Sequence, residues 1–131
     1  MTRRRPALGL VALATLALTG AAAHAQETAP KPQCFRSSDW RGSKATPDGS
    51  AIYIRVGSGR IYRVDFAHAC TALTHGGHLI HRTRGSGSIC SAIDLDLRVS
   101  LGGGMSTPCR ASKLTQLTAE EADALPRGLR P

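Results

Sequence analysis

The sequence contains no apolar run of the length that crosses a membrane. The longest, residues 7–18, falls short of the roughly 20 residues a spanning helix needs. A C-x2-C pair, an H-E-x-x-H zinc signature, a G-x-S-x-G nucleophile elbow and a calcium-loop pattern are also missing. There is no repeat of fixed period and no coiled-coil heptad. These absences set aside the commonest metal-site, serine-hydrolase and elongated-helix classes. Acidic residues are scarce, 9 against 17 lysines and arginines, which leaves a net charge of +8.

What is present begins with a leader. Arg3, Arg4 and Arg5 precede the apolar run, and Ala23-His24-Ala25 closes it, the three-part pattern of a secretory signal peptide over residues 1–25. No cysteine follows the cleavage point to carry a lipid anchor. Three of the 17 basic residues leave with the leader and all 9 acidic ones stay, so the expected mature charge is +5. About 100 residues remain, enough for one domain and not two. Residues 26–33, polar with two prolines, read as a flexible lead-in. The expected location is periplasmic or secreted, with no transmembrane segment after cleavage.

All four cysteines, Cys34, Cys70, Cys90 and Cys109, lie beyond the leader, an even count that reads as two disulfides in an exported chain of this size. Three pairings are open. Cys70–Cys90 with Cys34–Cys109 is the favoured one, because the second bridge would join the first and last segments.

Residues 51–66 organise the rest. Ile52, Ile54 and Val56 share one face of a first strand, and Tyr62, Val64 and Phe66 share one face of a second. A two-residue loop would set Ile54 opposite Arg63 and mix the faces. A three-residue loop, Gly57-Ser58-Gly59, sets Val56 opposite Arg60, Ile54 opposite Tyr62 and Ile52 opposite Val64. Such a loop ends in a left-handed residue, a role expected of Gly59. The opposite face then carries Tyr53, Arg55, Ile61, Arg63 and Asp65.

Elsewhere the patterns are coarser. Residues 34–45 form a poorly alternating strand, and Thr46-Pro47-Asp48-Gly49 a turn. Residues 67–73 suggest a helical turn, His75-Gly76-Gly77-His78 another bend, and Leu79 to Arg82 a short strand. Residues 89–100 read as one continuous strand with Ile93, Leu95, Leu97 and Val99 inward. A loop is expected from Gly102 to Pro108, with a last strand over 109–117. Thr118-Ala119-Glu120-Glu121 has capping-box spacing and starts a short helix that Pro126 stops, within a tail of residues 118–131.

The order of landmarks resembles the DUF6491 family, an exported domain family of Gram-negative bacteria without an assigned activity. The matching features are Cys34, Arg60-Ile61-Tyr62-Arg63-Val64, Cys70, Ile89-Cys90-Ser91-Ala92-Ile93-Asp94 and Cys109, spanning residues 34–117. The resemblance implies a small disulfide-linked β domain of the envelope and supplies no catalytic residues. Ser58-Gly59-Arg60-Ile61-Tyr62 also fits the S-G-x-x-Y pattern of periplasmic lysozyme inhibitors. Common lysozymes are basic, so a +5 partner would be repelled from them.

Three constellations could carry chemistry. His75, His78 and His81, with His68 nearby, could supply imidazoles to a metal ion. Positions three apart on a strand face opposite ways, so a solvated histidine-rich loop is the plainer account. Asp94 and Asp96 would be neighbours on one strand face, beside Arg98, in what reads as an exposed polar surface. Tyr53, Arg55 and Arg63 would make a basic face for an anionic envelope component, a lipid head group or an acidic glycan, or for another envelope protein. Export argues against nucleic acid.

The sequence therefore predicts an all-β domain over residues 34–117, a small antiparallel barrel or sandwich of five or six strands with two disulfides and a short C-terminal helix. The expected function is non-enzymatic binding without a cofactor. Metal binding through the histidines and lysozyme inhibition are the alternatives.

Overall fold

The structure, a computed structural model, describes residues 33–131. The leader and all but the last residue of the lead-in lie outside the described residues. Gln33 itself is held, its N–H donating to Gln116 Oε1 at 3.2 Å and its carbonyl accepting from the Tyr62 hydroxyl at 2.7 Å.

The central hairpin has the expected register. Strand β3 (Ala51–Val56) pairs antiparallel with β4 (Arg60–Phe66), setting Val56 opposite Arg60, Ile54 opposite Tyr62 and Ile52 opposite Val64. The left-handed residue is Gly57, with φ of +60°, and not Gly59. The N–H of Gly57 donates to Asp39 O at 2.8 Å, which ties the start of the loop to a neighbouring turn and places the bend there.

Strand β2 (Trp40–Ala45) lies beside β3, and β9 (Ala111–Gln116) beside β4, giving a four-stranded sheet in the order β2-β3-β4-β9. A second sheet has the order β5 (His78–Thr83), β7 (Leu95–Gly102), β8 (Met105–Cys109). The short strands β1 (Phe35–Arg36) and β6 (Ser88–Ile89) pair with each other. A single core joins the inner faces: Ile52, Ile54, Val56, Tyr62, Val64 and Leu114 from the first sheet with Leu95, Leu97 and Val99 from the second, plus Phe35 and Ile89. Burial of each such side chain contributes about 1.5–3 kcal/mol. The fold is thus all-β and sandwich-like, without closure into a barrel.

The nine strands exceed the five or six expected because two stretches are subdivided and one stretch expected to be a loop is a strand. The run 34–45 is broken by a 3₁₀ turn, Ser37–Asp39. The run 89–100 is broken by another, Ala92–Asp94, capped through Ser91. Ile93 consequently leaves the core and stands 76% exposed. Asp94 and Asp96 are not neighbours on one strand face: Asp96 pairs with Arg82, while Asp94 caps the turn. The presumed loop after Gly102 is mostly strand β8, with only Gly102, Gly103 and Gly104 at the bend. Pro108 is accommodated because β8 is an edge strand.

The helical turn after Cys70 is present as α1 (Thr71–Thr74). Beyond it Gly77 is required for close approach. A Cβ there would overlap the Val99 side chain and stand 2.7 Å from Ala72 O.

The bridges are Cys34–Cys90 and Cys70–Cys109, which corrects the favoured pairing. Pairing of Phe35 with Ile89 brings the adjoining Cys34 and Cys90 to a Cα separation of 4.2 Å. Cys109 ends β8 where the chain crosses to the other sheet, and Ala67 N–H donates to Arg110 O there at 2.9 Å, placing Cys70 alongside. Closing loops of 56 and 39 residues contributes about 4 kcal/mol each in the chain-entropy picture. Two such bridges belong with an oxidising compartment.

The tail is not an appendage. Helix α2 (Ala119–Asp123) starts at the expected Thr118 cap, whose Oγ1 accepts from Glu121 N–H at 3.2 Å while Glu121 Oε2 accepts from Thr118 N–H at 2.8 Å. The chain then turns through Arg127–Leu129 and ends against Gly42 of β2. Arg130 fastens this return by donating to Leu125 O and Asp123 O at 2.9 and 2.6 Å. Leaving from β9 at one edge and finishing on β2 at the other, the tail lies across the outer face of the four-stranded sheet.

Candidate anion-binding surface

Tyr53, Arg55 and Arg63 do share the outer face of the hairpin, as alternation requires, but the tail covers part of it. Tyr53 is only 7% exposed. Arg63 Nε donates to Asp65 Oδ1 at 2.7 Å, and its Nη1 donates to the Tyr53 hydroxyl at 3.1 Å. The guanidinium stands 5.7 Å from the Tyr53 ring centroid, within cation–π range. The Asp65 hydrogen bond, ahead of the other influences, raises the Arg63 pKa above its ordinary value. Arg55 alone of the three is exposed. The groove of about 450 Å³ between this face and the tail is lined by Arg63 and Lys113 but also by Asp65 and Glu121. Its charges balance internally.

The histidines are not brought together. His81 lies on the half-buried side of β5, stacked on Trp40 with ring centroids 4.3 Å apart and planes 8° off parallel, a contact between the two sheets. Burial lowers the His81 pKa. His78 lies on the exposed side of the same strand. His75 Nδ1 is 2.7 Å from Thr71 O, so that nitrogen carries the proton and donates. Among the described residues no three His, Cys, Asp or Glu side chains gather as a metal site. His75 thus stays at the end of α1, while His78 and His81 fall on opposite sides of β5. In the S-G-x-x-Y stretch, Tyr62 is fully buried against Phe35, and burial raises its pKa. Only Ser58 and Gly59 of that motif are exposed.

A different place gathers cationic groups. A hollow of about 400 Å³ is lined by Arg84, Arg110, Ala92, Ile93, Leu95, Ala111 and Ser112. Arg84 follows β5, and its N–H donates to Asp94 O at 2.9 Å. Arg110 is the single residue between β8 and β9, where the chain passes from one sheet to the other. No carboxylate lines the wall. The nearest in sequence, Asp94, turns its Oδ2 to the N–H groups of Cys90 and Ser91, both at 2.9 Å. The Cys90 bond, the strongest influence, holds the Asp94 pKa below the ordinary carboxylate value. Among the described residues the only ion pair is Arg63–Asp65, so neither Arg84 nor Arg110 has an acidic partner there. Sequence reading missed this hollow because it took residues 89–100 as one strand. Ser91-Ala92-Ile93-Asp94 has S-x-x-D capping spacing, the one local signal that could have released Ile93 and Asp94 from it.

Fold and surface together define a disulfide-linked β-sandwich with a basic, partly apolar hollow at the seam between its sheets. The chain matches no protein-family model, no curated protein and no solved structure.

Proposed function

We propose that this chain is an exported, non-enzymatic binding module of the bacterial envelope that attaches to anionic lipid head groups. One observation carries the reading. Residues 33–131 hold thirteen lysines and arginines against eight aspartates and glutamates, yet only Arg63 is in an ion pair. Arg60, Arg98 and Arg130 are held by hydrogen bonds within the fold; the other cations are available to an external anion, and each one near an anionic membrane is worth about 1 kcal/mol. Arginine suits the role because its planar fork meets phosphate bidentately. The two disulfides support an oxidising location, and the leader-like residues 1–25 support export.

Co-flotation tests this. The mature oxidised protein should rise with vesicles of phosphatidic acid mixed with phosphatidylcholine, but not with pure phosphatidylcholine, and salt should release it. Absence of flotation at low ionic strength would end the reading. Binding to an acidic glycan in place of the vesicles would redirect it.

A further inference from the structure

We propose that the hollow between Arg84 and Arg110 is a site for an anionic amphiphile, a phosphate monoester carrying an aliphatic chain. This deepens the lipid reading above and rests on it. The volume of about 400 Å³ falls within the roughly 300–1,000 Å³ usual for small-molecule sites. Its lining divides by chemistry into two arginines and an apolar wall of Ala92, Ile93, Leu95 and Ala111. The one hydroxyl, on Ser112, already donates to Asp65 O at 3.1 Å, so recognition of the head falls to the arginines. Two guanidiniums match the charge of a phosphate monoester, about −1.5 to −2, better than the single charge of a carboxylate.

Ile93 points to the chain. At 76% exposure it is the most exposed large apolar residue described, and it stands at the rim of this hollow. Its place follows from the Ser91–Asp94 cap, which ejects it from the core and at the same time folds the Asp94 carboxylate away from the wall. One local device therefore presents an apolar rim and removes the charge that would repel a phosphate. Inorganic phosphate would find the arginines but leave the rim wet. An uncharged alcohol would cover the rim but leave the arginines unused.

Calorimetry with octyl phosphate below its micelle concentration, against inorganic phosphate, octanol and octanoate, tests the assignment. Octyl phosphate should bind about tenfold or more tightly than each of the other three. Arg84→Gln with Arg110→Gln should weaken it by about tenfold or more, and Ile93→Asp should weaken octyl phosphate while sparing inorganic phosphate. Circular dichroism checks that each variant is folded. Equal binding of octyl phosphate and inorganic phosphate, or unchanged binding by the folded double variant, would overturn the site. If the protein still floats with anionic vesicles in that case, only the site falls. If it binds neither octyl phosphate nor the anionic vesicles at low ionic strength, the lipid reading falls with it.

Discussion

Arg63 on the one hand, and Arg84 with Arg110 on the other, are the same side chain in opposite circumstances. Arg63 sits beneath the C-terminal tail, joined to Asp65 and Tyr53 in a closed set of hydrogen bonds. Arg84 and Arg110 face a hollow without a carboxylate. Composition makes all three equivalent contributors to a basic surface, and the structure separates them into a structural clasp and available donors. A guanidinium already satisfied by the fold gains little from a ligand, whereas one satisfied only by water can exchange that water for phosphate.

Mutations can break the contrast, beginning with the largest effect. Tyr53→Ala should cost about 3 kcal/mol in urea unfolding, because the ring is buried under the tail. A loss near zero would mean that the tail does not hold that face closed. Arg63→Ala should cost about 1 kcal/mol, reduced by partial exposure, and should leave anion binding unchanged. Arg84→Gln with Arg110→Gln should alter stability by less than about 0.5 kcal/mol, while reducing vesicle flotation. If instead Arg63→Ala reduced flotation and the double variant did not, the two roles would be exchanged.

The smallest effects are set by pH. The folded pKa of Asp94 lies below its unfolded value, so its bonds to Cys90 and Ser91 stabilise the fold above the ordinary carboxylate range. That contribution is lost as pH falls through the folded value. Asp94→Ala should therefore be less stable than the native chain at neutral pH, with the difference closing in strong acid. His81 offers a sharper reporter, since Trp40 is the only tryptophan and stacks on it. Its folded pKa is lowered by burial, so the stacked neutral ring stabilises the fold above the unfolded pKa and that support is lost as pH falls through the folded one. Tryptophan fluorescence should show a transition below the ordinary histidine value of 6.5, and His81→Gln should abolish it.

The readable parts of the sequence were those governed by a short period or a local contact. Register in β3 and β4 followed from a repeat of two, and the Thr118 cap from a spacing of three. Disulfide pairing depends on which distant strands adjoin, and nothing near Cys34 announces that Phe35 will meet Ile89. The return of the tail to Gly42 is likewise a long-range outcome. The hollow was hidden for a related reason. Arg84 and Arg110 are 26 positions apart and meet only because Arg110 is the corner between two sheets. Alternation in residues 95–99 was strong enough to suggest that the strand began earlier, and the local bonds of Asp94 outweighed that suggestion.

The bridges also interleave along the chain, 34 to 90 and 70 to 109, so neither closed circuit encloses the other. A protease that nicked the backbone once in each of any two intervals between successive cysteines would release no fragment, because every piece would still carry a half-cystine bonded to another piece. The nested arrangement would lose its middle piece to cuts at 34–70 and 90–109. In a compartment patrolled by peptidases, this topology lets a damaged molecule persist as one covalent body.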